Sequence, residues 1–237
     1  MKIVPSLAIL AVLNAWGLVV PHSRAADEDG VAVAIIYDTS GSMKQTVRNA
    51  KGGTSPKFVI ANRALASIAK QIQAFATNSA SSTPRKIHAG LFIFSGDSAT
   101  EAVGFGPFNA APFEEFAKTF SSPGGDTPLG NSLTVAARAV LNSPLSRKHV
   151  LIITDGENTK GPPPSLVMPR LKKQAEEKHS TLSVHFVAFD VSAKAFDSVK
   201  KQGATVVAAT DEATLNTQLQ FILQKKILLE DEEPAKK

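Results

Sequence analysis

The chain alternates between short apolar runs rich in β-branched residues and segments in which apolar residues recur every three or four positions. The runs are typical of strands buried on both faces of a sheet, and the recurrences are typical of amphipathic helices. The predicted strands cover residues 31–37, 87–94, 100–105, 149–153, 182–189 and 205–209. The predicted helices cover residues 56–76, 112–120, 128–140, 165–178, 193–199 and 215–226.

Strands that alternate with helices predict an α/β fold with a doubly wound, mostly parallel central sheet and helices on both faces. The run 100–105 is predicted as a short antiparallel edge strand. Residues 44–55 are predicted as a loop that turns at Gly52-Gly53. Ser55-Pro56 and Thr127-Pro128 each predict a helix start, with the hydroxyl residue as N-cap and proline in the first turn.

The first 25 residues have the pattern of a cleaved signal peptide. Lys2 gives a basic start, residues 3–20 are mostly apolar, and Ser23-Arg24-Ala25 offers a cleavage site. The alternative is that this segment is retained as a membrane anchor. A short acidic leader at 26–30, a single domain at 31–229 and a charged tail at 230–237 would follow. No second long apolar run is present, so we expect an exported protein with no stable membrane span after cleavage.

Composition excludes several classes of protein. With 43% hydrophobic and 20% charged residues the chain has an ordinary globular composition, and with no cysteine it has neither disulfides nor a thiol-based site. The net charge of +5 is scattered and interrupted by acidic clusters, so no basic groove for nucleic acid is predicted. The histidines are also dispersed, and we expect structural or surface roles for them.

Three oxygen-rich runs follow predicted strands or open a predicted helix. They are Asp38-Thr39-Ser40-Gly41-Ser42, Gly125-Asp126-Thr127-Pro128 and Thr154-Asp155-Gly156. In parallel sheets, ligands bind beyond the carboxyl ends of the strands, so these runs could share one site. Two carboxylates ~5 Å apart at an effective dielectric of ~20 repel each other by ~3 kcal/mol, which a cation would offset.

Hard oxygen ligands favour Mg²⁺ or Mn²⁺ over zinc or copper. The candidate ligands are Asp38, Ser40, Ser42, Thr127 and Asp155. Three hydroxyls, together with waters held by the carboxylates, would leave one position of an octahedral shell open. An Asp or Glu of a partner protein could fill that position.

These residues resemble the D-x-S-x-S, Thr and Asp motif of the von Willebrand factor type A (VWA) family. The resemblance extends over residues 31–229 and is similar to that of exported bacterial members, which suggests a periplasmic or extracellular location. It implies a Rossmann-like VWA fold and a metal-ion-dependent adhesion site (MIDAS). Ser40, Ser42 and Thr127 would be direct or near-direct ligands, with Asp38 and Asp155 acting directly or through water.

Three alternatives remain open at this point. Lys44, Arg48 and Lys51 follow the first motif and are either a rim that steers an acidic partner or ordinary solvated charge. A Mg²⁺-dependent phosphoesterase could use a strand-end aspartate such as Asp38, although Ser40 stands where a second acid is expected. A scaffold without metal is the third. Because common enzyme motifs are missing from the sequence, we predict no catalysis.

Overall fold

The computed structural model describes residues 28–77 and 85–229. The predicted signal peptide and charged tail lie outside the described residues, together with Ala26 and Asp27 of the predicted leader. The other leader residues, Glu28–Gly30, are already part of the first strand. The loop predicted between the helix 56–76 and the strand 87–94 lies mostly outside the described residues.

The elements follow one another in a largely alternating order. The strands of the described residues are β1 (Glu28–Tyr37), β2 (Thr46–Arg48), β3 (Thr54–Pro56), β4 (Ile87–Ser95), β5 (Ser98–Pro107), β6 (Leu145–Thr154), β7 (Leu182–Phe189) and β8 (Thr205–Ala209). The α-helices there are α1 (Lys57–Ala76), α2 (Ala110–Thr119), α3 (Leu129–Leu141), α4 (Pro164–Glu177), α5 (Asp197–Lys201) and α6 (Glu212–Phe221). Helical turns of other types are Gly41–Lys44 and Ala193–Phe196, both 3₁₀, and the π-helix Ile222–Leu228.

Within the described part of the chain, six strands form one sheet in the order β5-β4-β1-β6-β7-β8. Strand β1 is parallel to β4 and β6, and β6, β7 and β8 continue in parallel. Strand β5 pairs antiparallel with β4 at the edge. The predicted doubly wound sheet with an antiparallel edge strand is therefore confirmed, although β5 is longer than expected.

Strand β1 lies in the centre of the sheet because its side chains are apolar on both faces. Val33 and Ile35 contact one core cluster, which α1, α2 and α6 cover. Ala34 and Ile36 contact the second cluster, beneath α3, α4 and α5. Apolar residues on successive positions can be buried only when both faces of a strand are covered, which explains why β1 is a continuous run.

The direction in which the chain adds strands reverses next to β1. From β1 the chain adds β4 and β5 on one side, and it then returns to add β6, β7 and β8 on the other. Tyr37 of β1 is in register with Ile153 of β6, so the residues that follow them, Asp38 and Thr154, emerge side by side. Crevices at such a reversal are the usual binding sites of open α/β sheets.

The segment predicted as a loop over residues 44–55 contains a small antiparallel hairpin. Strands β2 and β3 pair through Thr46 and Pro56, so α1 begins at Lys57, one residue later than predicted, and the prediction of Ser55 as its N-cap is wrong. Pro56 has extended geometry before α1, and the hydroxyl of Ser55 accepts a hydrogen bond from Asn49 instead of capping the helix. Pro128 likewise precedes the first residue of α3, with no side-chain cap.

Two other boundaries differ from the predictions. Strand β6 begins at Leu145, four residues before the predicted start. Lys148, inside this added part, is buried, and its ammonium donates to the carbonyls of Ser143 and Leu145. Because a lysine interrupts the apolar run, the sequence pattern placed the start of this strand too late. The last helix changes to a π-helix after Phe221, where buried apolar residues recur five positions apart, at Ile222, Leu223, Ile227 and Leu228.

Candidate metal centre

The first motif wraps around the end of β1. The backbone N–H of Asp38 donates to the carbonyl of Ile153 at 3.0 Å, which continues the pairing of β1 with β6. The chain then turns through Ser40 into the 3₁₀ turn Gly41–Lys44. This turn lies against the second motif, because the N–H of Gly41 donates to the carbonyl of Gly125 and the N–H of Gly124 donates to that of Thr39.

Asp38 is fully buried beneath this loop, with 0% of its surface exposed. Its Oδ1 accepts from the N–H of Ser40 at 2.8 Å, and its Oδ2 accepts from the Thr154 hydroxyl at 2.6 Å. Burial raises the pKa of Asp38 to about 6, and the charge of Asp155 adds to this effect, while hydrogen bonds from Ser40 and Thr154 oppose it. A cation nearby would favour the ionised form.

A chain of hydrogen bonds joins the first motif to the third. The Ser40 and Ser42 hydroxyls are 3.0 Å apart, and the Ser42 hydroxyl donates to Asp155 Oδ1 at 2.7 Å. Residues two apart in a turn thus present their oxygens on the same side. The side chains of Ser40, Ser42 and Asp155 form one continuous set of oxygen atoms.

Thr127 faces the same set from the second motif. A methyl group built on Gly156 would lie 3.7 Å from Thr127 Oγ1 and 3.9 Å from Ser42 Oγ, so both hydroxyls border the gap left by this glycine. Two hydrogen bonds with Thr159 fix the backbone of Thr127. The N–H of Thr127 donates to the Thr159 hydroxyl, and the N–H of Thr159 donates to the carbonyl of Thr127. The structure therefore brings all five candidate ligands to one edge of the sheet.

The donor set fits a hard cation by its chemistry. It consists of two carboxylates and three hydroxyls, the ligand atoms that Mg²⁺ and Mn²⁺ accept. Within residues 28–77 and 85–229, no three His, Cys, Asp or Glu side chains come together as a metal cluster, so a site here depends on hydroxyl oxygens. Ser42 and Gly156 are half-buried and Gly124–Asp126 is exposed, so the site faces solvent on that side.

Lys57, which the sequence analysis did not single out, is the cation already present beside these oxygens. Only 2% of its side chain is exposed, and its Nζ lies 3.0 Å from Asp155 Oδ2 and 2.9 Å from Asp190 Oδ2. Burial lowers the pKa of Lys57, but hydrogen bonds to Asp190 and Asp155 outweigh burial and raise its pKa overall. A signal was available, because position 57 lies three and four residues before the buried Ile60 and Ala61 on the same helix face.

The basic residues predicted as a rim are all exposed. Lys44 lies two residues after Ser42, at the end of the 3₁₀ turn. Arg48 and Lys51 lie in or beside the hairpin, where their charges help to lower the pKa values of Asp211 and Glu212; hydrogen bonds from Thr214 and Arg63, respectively, are the main causes. Two of the three rim residues thus lie close to acidic groups of this chain.

Residues 32–222 match the family model of the von Willebrand factor type A domain. No curated protein sequence matches this chain. None of the helices within residues 28–77 and 85–229 has the length and hydropathy needed to cross a membrane.

Several solved structures share the fold. The PilB minor pilin from Streptococcus sanguinis superposes with a TM-score of 0.60 at 16% identity, over 82% of this chain and 60% of the pilin. The vWF domain of the type V pili tip protein Mfa5 from Porphyromonas gingivalis gives 0.58 at 13% identity, over 83% and 94% of the two chains. Proximal thread matrix protein 1 from the mussel byssus, with a zinc-occupied MIDAS motif, gives 0.57 at 13% identity, over 83% and 48%.

The chain thus spans less than two thirds of the pilin and of the byssus protein, and at these identities the likeness concerns the fold. The family model, in contrast, covers most of the sequence, from the second half of β1 to the start of the π-helix. The region that the family model matches is also the region that forms the six-stranded sheet and its covering helices. We conclude that this chain belongs to the von Willebrand factor type A domain family.

Proposed function

We propose that the protein is an exported binding module that holds a partner protein through a divalent cation. Ser40, Ser42 and Thr127 would bind Mg²⁺ or Mn²⁺ through their hydroxyls, and Asp38 and Asp155 would act directly or through water. The ion would supply a Lewis-acid position for an Asp or Glu of the partner. The supporting observation is the hydrogen-bonded set of oxygens that runs from Ser40 through Ser42 to Asp155 and faces Thr127 across Gly156.

The structural relatives are compatible with this role. Two are pilus proteins and one is a byssus matrix protein whose MIDAS motif holds zinc. The all-oxygen donor set of this chain favours Mg²⁺ or Mn²⁺ over zinc. An adhesive or assembly function outside the cytoplasm, in the periplasm or beyond the cell, is the proposal that follows.

Metal titration of the purified protein tests the site. Calorimetry with Mg²⁺, Mn²⁺ and Zn²⁺ should give one binding event in the wild type that Ser42→Ala and Asp155→Asn weaken at least tenfold. Asp29→Asn is the charge-matched control, since Asp29 is exposed and lies at the opposite end of β1. Equal metal uptake by all four proteins would reject the site.

The acceptance of a partner carboxylate needs a separate experiment. An array of short peptides that each contain one Asp or Glu, with Asn or Gln versions beside them, is probed with the protein in Mg²⁺ and in EDTA. Binding that requires both the acid and the metal supports the proposal. Peptides that bind equally well with amide side chains or in EDTA would contradict it.

The geometry gives little support to a phosphoesterase. A nucleophilic aspartate must reach its substrate, whereas Asp38 is fully buried and both of its carboxylate oxygens accept hydrogen bonds. Lys57 would have to stabilise transferred charge, but its ammonium already contacts two carboxylates. We therefore propose no enzymatic activity, and phosphate release from p-nitrophenyl phosphate that Asp38→Asn abolishes would overturn this.

Export itself is tested at the N-terminus. If residues 1–25 are a cleaved signal, protein secreted by a bacterial host should begin at Ala26. N-terminal sequencing that finds Met1 or Lys2 in membrane-bound protein would instead favour the retained anchor.

A further inference from the structure

The ammonium group of Lys57 is fully engaged by three oxygen acceptors. Its Nζ donates to Gln45 Oε1 at 3.0 Å and to Asp155 Oδ2 at 3.0 Å, and it lies 2.9 Å from Asp190 Oδ2. An ammonium group has three protons, so each can have one acceptor. These acceptors come from three different places in the fold: the end of the 3₁₀ turn, the loop after β6 and the residue after β7.

Asp155 is held from both sides by this arrangement. Its Oδ1 accepts from the Ser42 hydroxyl and its Oδ2 accepts from Lys57, and its side chain is fully buried. Both carboxylate oxygens are therefore oriented by the chain itself.

The charges around the site have a simple balance. Lys57 joins Asp155 to Asp190, and Asp38 lies buried beneath the same loop as a third carboxylate beside the site. When all four groups are ionised their charges sum to −2. One divalent cation neutralises that charge. Without Lys57 the same carboxylates would sum to −3, and this would increase the attraction of a trivalent ion more than that of a divalent one.

We infer that Lys57 sets the charge of the metal site, holding Asp155 in place before metal binds and matching the site to divalent cations. This inference rests on the proposed metal-binding function and concerns a residue outside the five candidate ligands. Because Lys57 contacts Asp155 directly, its positive charge opposes that of an incoming ion. The expected consequence is moderate affinity, so that the partner's carboxylate contributes to retention of the metal.

The principal variant is Lys57→Met, which keeps an unbranched apolar stem on the buried face of α1 but removes the charge. We expect Mn²⁺ affinity, measured by calorimetry at pH 7.5, to rise at least tenfold, and Tb³⁺ affinity to rise by a larger factor than that of Mn²⁺. The metal-free variant should melt at a lower temperature in EDTA, and Mn²⁺ should stabilise it more than it stabilises the wild type. Lys70→Met, in the exposed part of the same helix, is the matched control and should bind within twofold of the wild type.

Asp190→Asn tests the same inference in the opposite direction. Asp190 has a left-handed backbone with φ of 56°, which asparagine tolerates, and its side chain is 41% exposed, so this variant should fold. Lys57 would then pair with Asp155 alone and the net charge would be −1. Mn²⁺ affinity should fall at least threefold.

The outcomes separate this inference from the proposed function. If the wild type binds no metal, the proposed function fails. If the wild type binds metal but Lys57→Met binds as Lys70→Met does, or Asp190→Asn binds more tightly, the role of Lys57 is wrong while the site remains. Should Lys57→Met fail to fold, Asp190→Asn alone decides between these results.

Discussion

The hydroxyl of Thr154 donates to Asp38 Oδ2 between two neighbouring parallel strands, with 2.6 Å between the oxygens. Asp38 directly follows β1 and Thr154 is the last residue of β6, and both are fully buried. Thr154 is not one of the five candidate ligands. Its hydroxyl satisfies Oδ2 of this buried carboxylate, while the N–H of Ser40 satisfies Oδ1.

Replacing Thr154 by valine should therefore destabilise the protein. Valine keeps the shape of the side chain but removes the donor, and a buried acceptor that loses its donor costs about 1–3 kcal/mol. Urea unfolding at pH 7.5 in EDTA measures this loss. Thr154→Ser, which keeps the hydroxyl, is the control and should lose less than half as much; equal losses would show that packing of the methyl group matters instead.

Gly156→Ala should separate metal binding from folding. The added methyl would sit at ordinary contact distances of 3.7 Å from Thr127 Oγ1 and 3.9 Å from Ser42 Oγ, and Gly156 does not have positive φ. We expect the free energy of unfolding to change by less than about 0.5 kcal/mol. Mn²⁺ affinity should nevertheless fall at least tenfold, because the methyl fills the space that the two hydroxyls border.

Gly130→Ala provides the contrast. A methyl at Gly130 would lie 2.0 Å from the carbonyl oxygen of Pro162, a backbone atom that cannot easily move. This variant should unfold at clearly lower urea concentration. If Gly156→Ala lost as much stability as Gly130→Ala, or kept wild-type metal affinity, the gap beside Gly156 would not be part of the site.

Much of the sheet could be predicted from local pattern. Strand β1 is a continuous β-branched run because both of its faces are covered, and Asp38 is recognisable as the first polar residue after it. That β1 pairs with β6, which brings Asp155 to Asp38, could not be predicted. The order of strands depends on how distant segments pack, and periodicity within one segment carries no information about its neighbours.

The features that prediction missed are those set by tertiary contacts. Strands β2 and β3 have three residues each and only one buried side chain, that of Val47, so they have no apolar pattern to detect. The helical spacing of Lys57 before Ile60 and Ala61 indicates that it lies on the buried face, but only the folded chain shows its three oxygen partners. His149 and His185, considered dispersed in the sequence, meet because β6 lies beside β7.

These two histidines should make stability depend on pH. Their rings stack, with His149 Nδ1 3.2 Å from His185 Nε2. Burial lowers the pKa of His149 to about 3, with the charges of His185 and Arg147 adding to the effect, and burial together with Lys226 lowers the pKa of His185 to about 4. The unfolded chain binds protons near pH 6.5 while the folded chain does not, so stability present above pH 6.5 is lost progressively as the pH falls toward 4.

The measurement is urea unfolding at pH 7.5, 6.0 and 5.0 in a chelating buffer, on the wild type and on His185→Phe. Each buried histidine contributes a slope of about 1.4 kcal/mol per pH unit once the unfolded form is protonated. Between pH 6 and 5, the free energy of unfolding of the variant should fall by about 1.4 kcal/mol per pH unit less than that of the wild type. Asp38, whose raised pKa acts in the opposite direction below pH 6, is present in both proteins. Identical slopes would mean that His185 is protonated in the folded state.

Glu212 joins the hairpin after the first motif to the last α-helix. It is buried, its carboxylate accepts two hydrogen bonds from the guanidinium of Arg63, and it also accepts from the N–H of Ala50 at 2.8 Å. The hydrogen bond from Arg63 is the largest cause of its lowered pKa, and burial opposes it. The charge pair is partly solvated because Arg63 is 48% exposed, so the contact with Ala50 is the more specific one.

Glu212→Gln should therefore speed local opening of the hairpin, while the free energy of global unfolding falls only modestly. The amide has one oxygen for the three donors, which are the Ala50 N–H and two N–H groups of Arg63, so at least one donor loses its acceptor. We expect the free energy of unfolding to fall by about 1–2 kcal/mol. Hydrogen exchange followed by mass spectrometry should show faster exchange at Ala50 and the adjoining turn while α1 remains protected. Glu177→Gln, which removes half of an exposed ion pair with Lys173, is the control and should change neither property. Unchanged exchange at Ala50 in Glu212→Gln would mean that the hairpin is held by β2–β3 pairing alone.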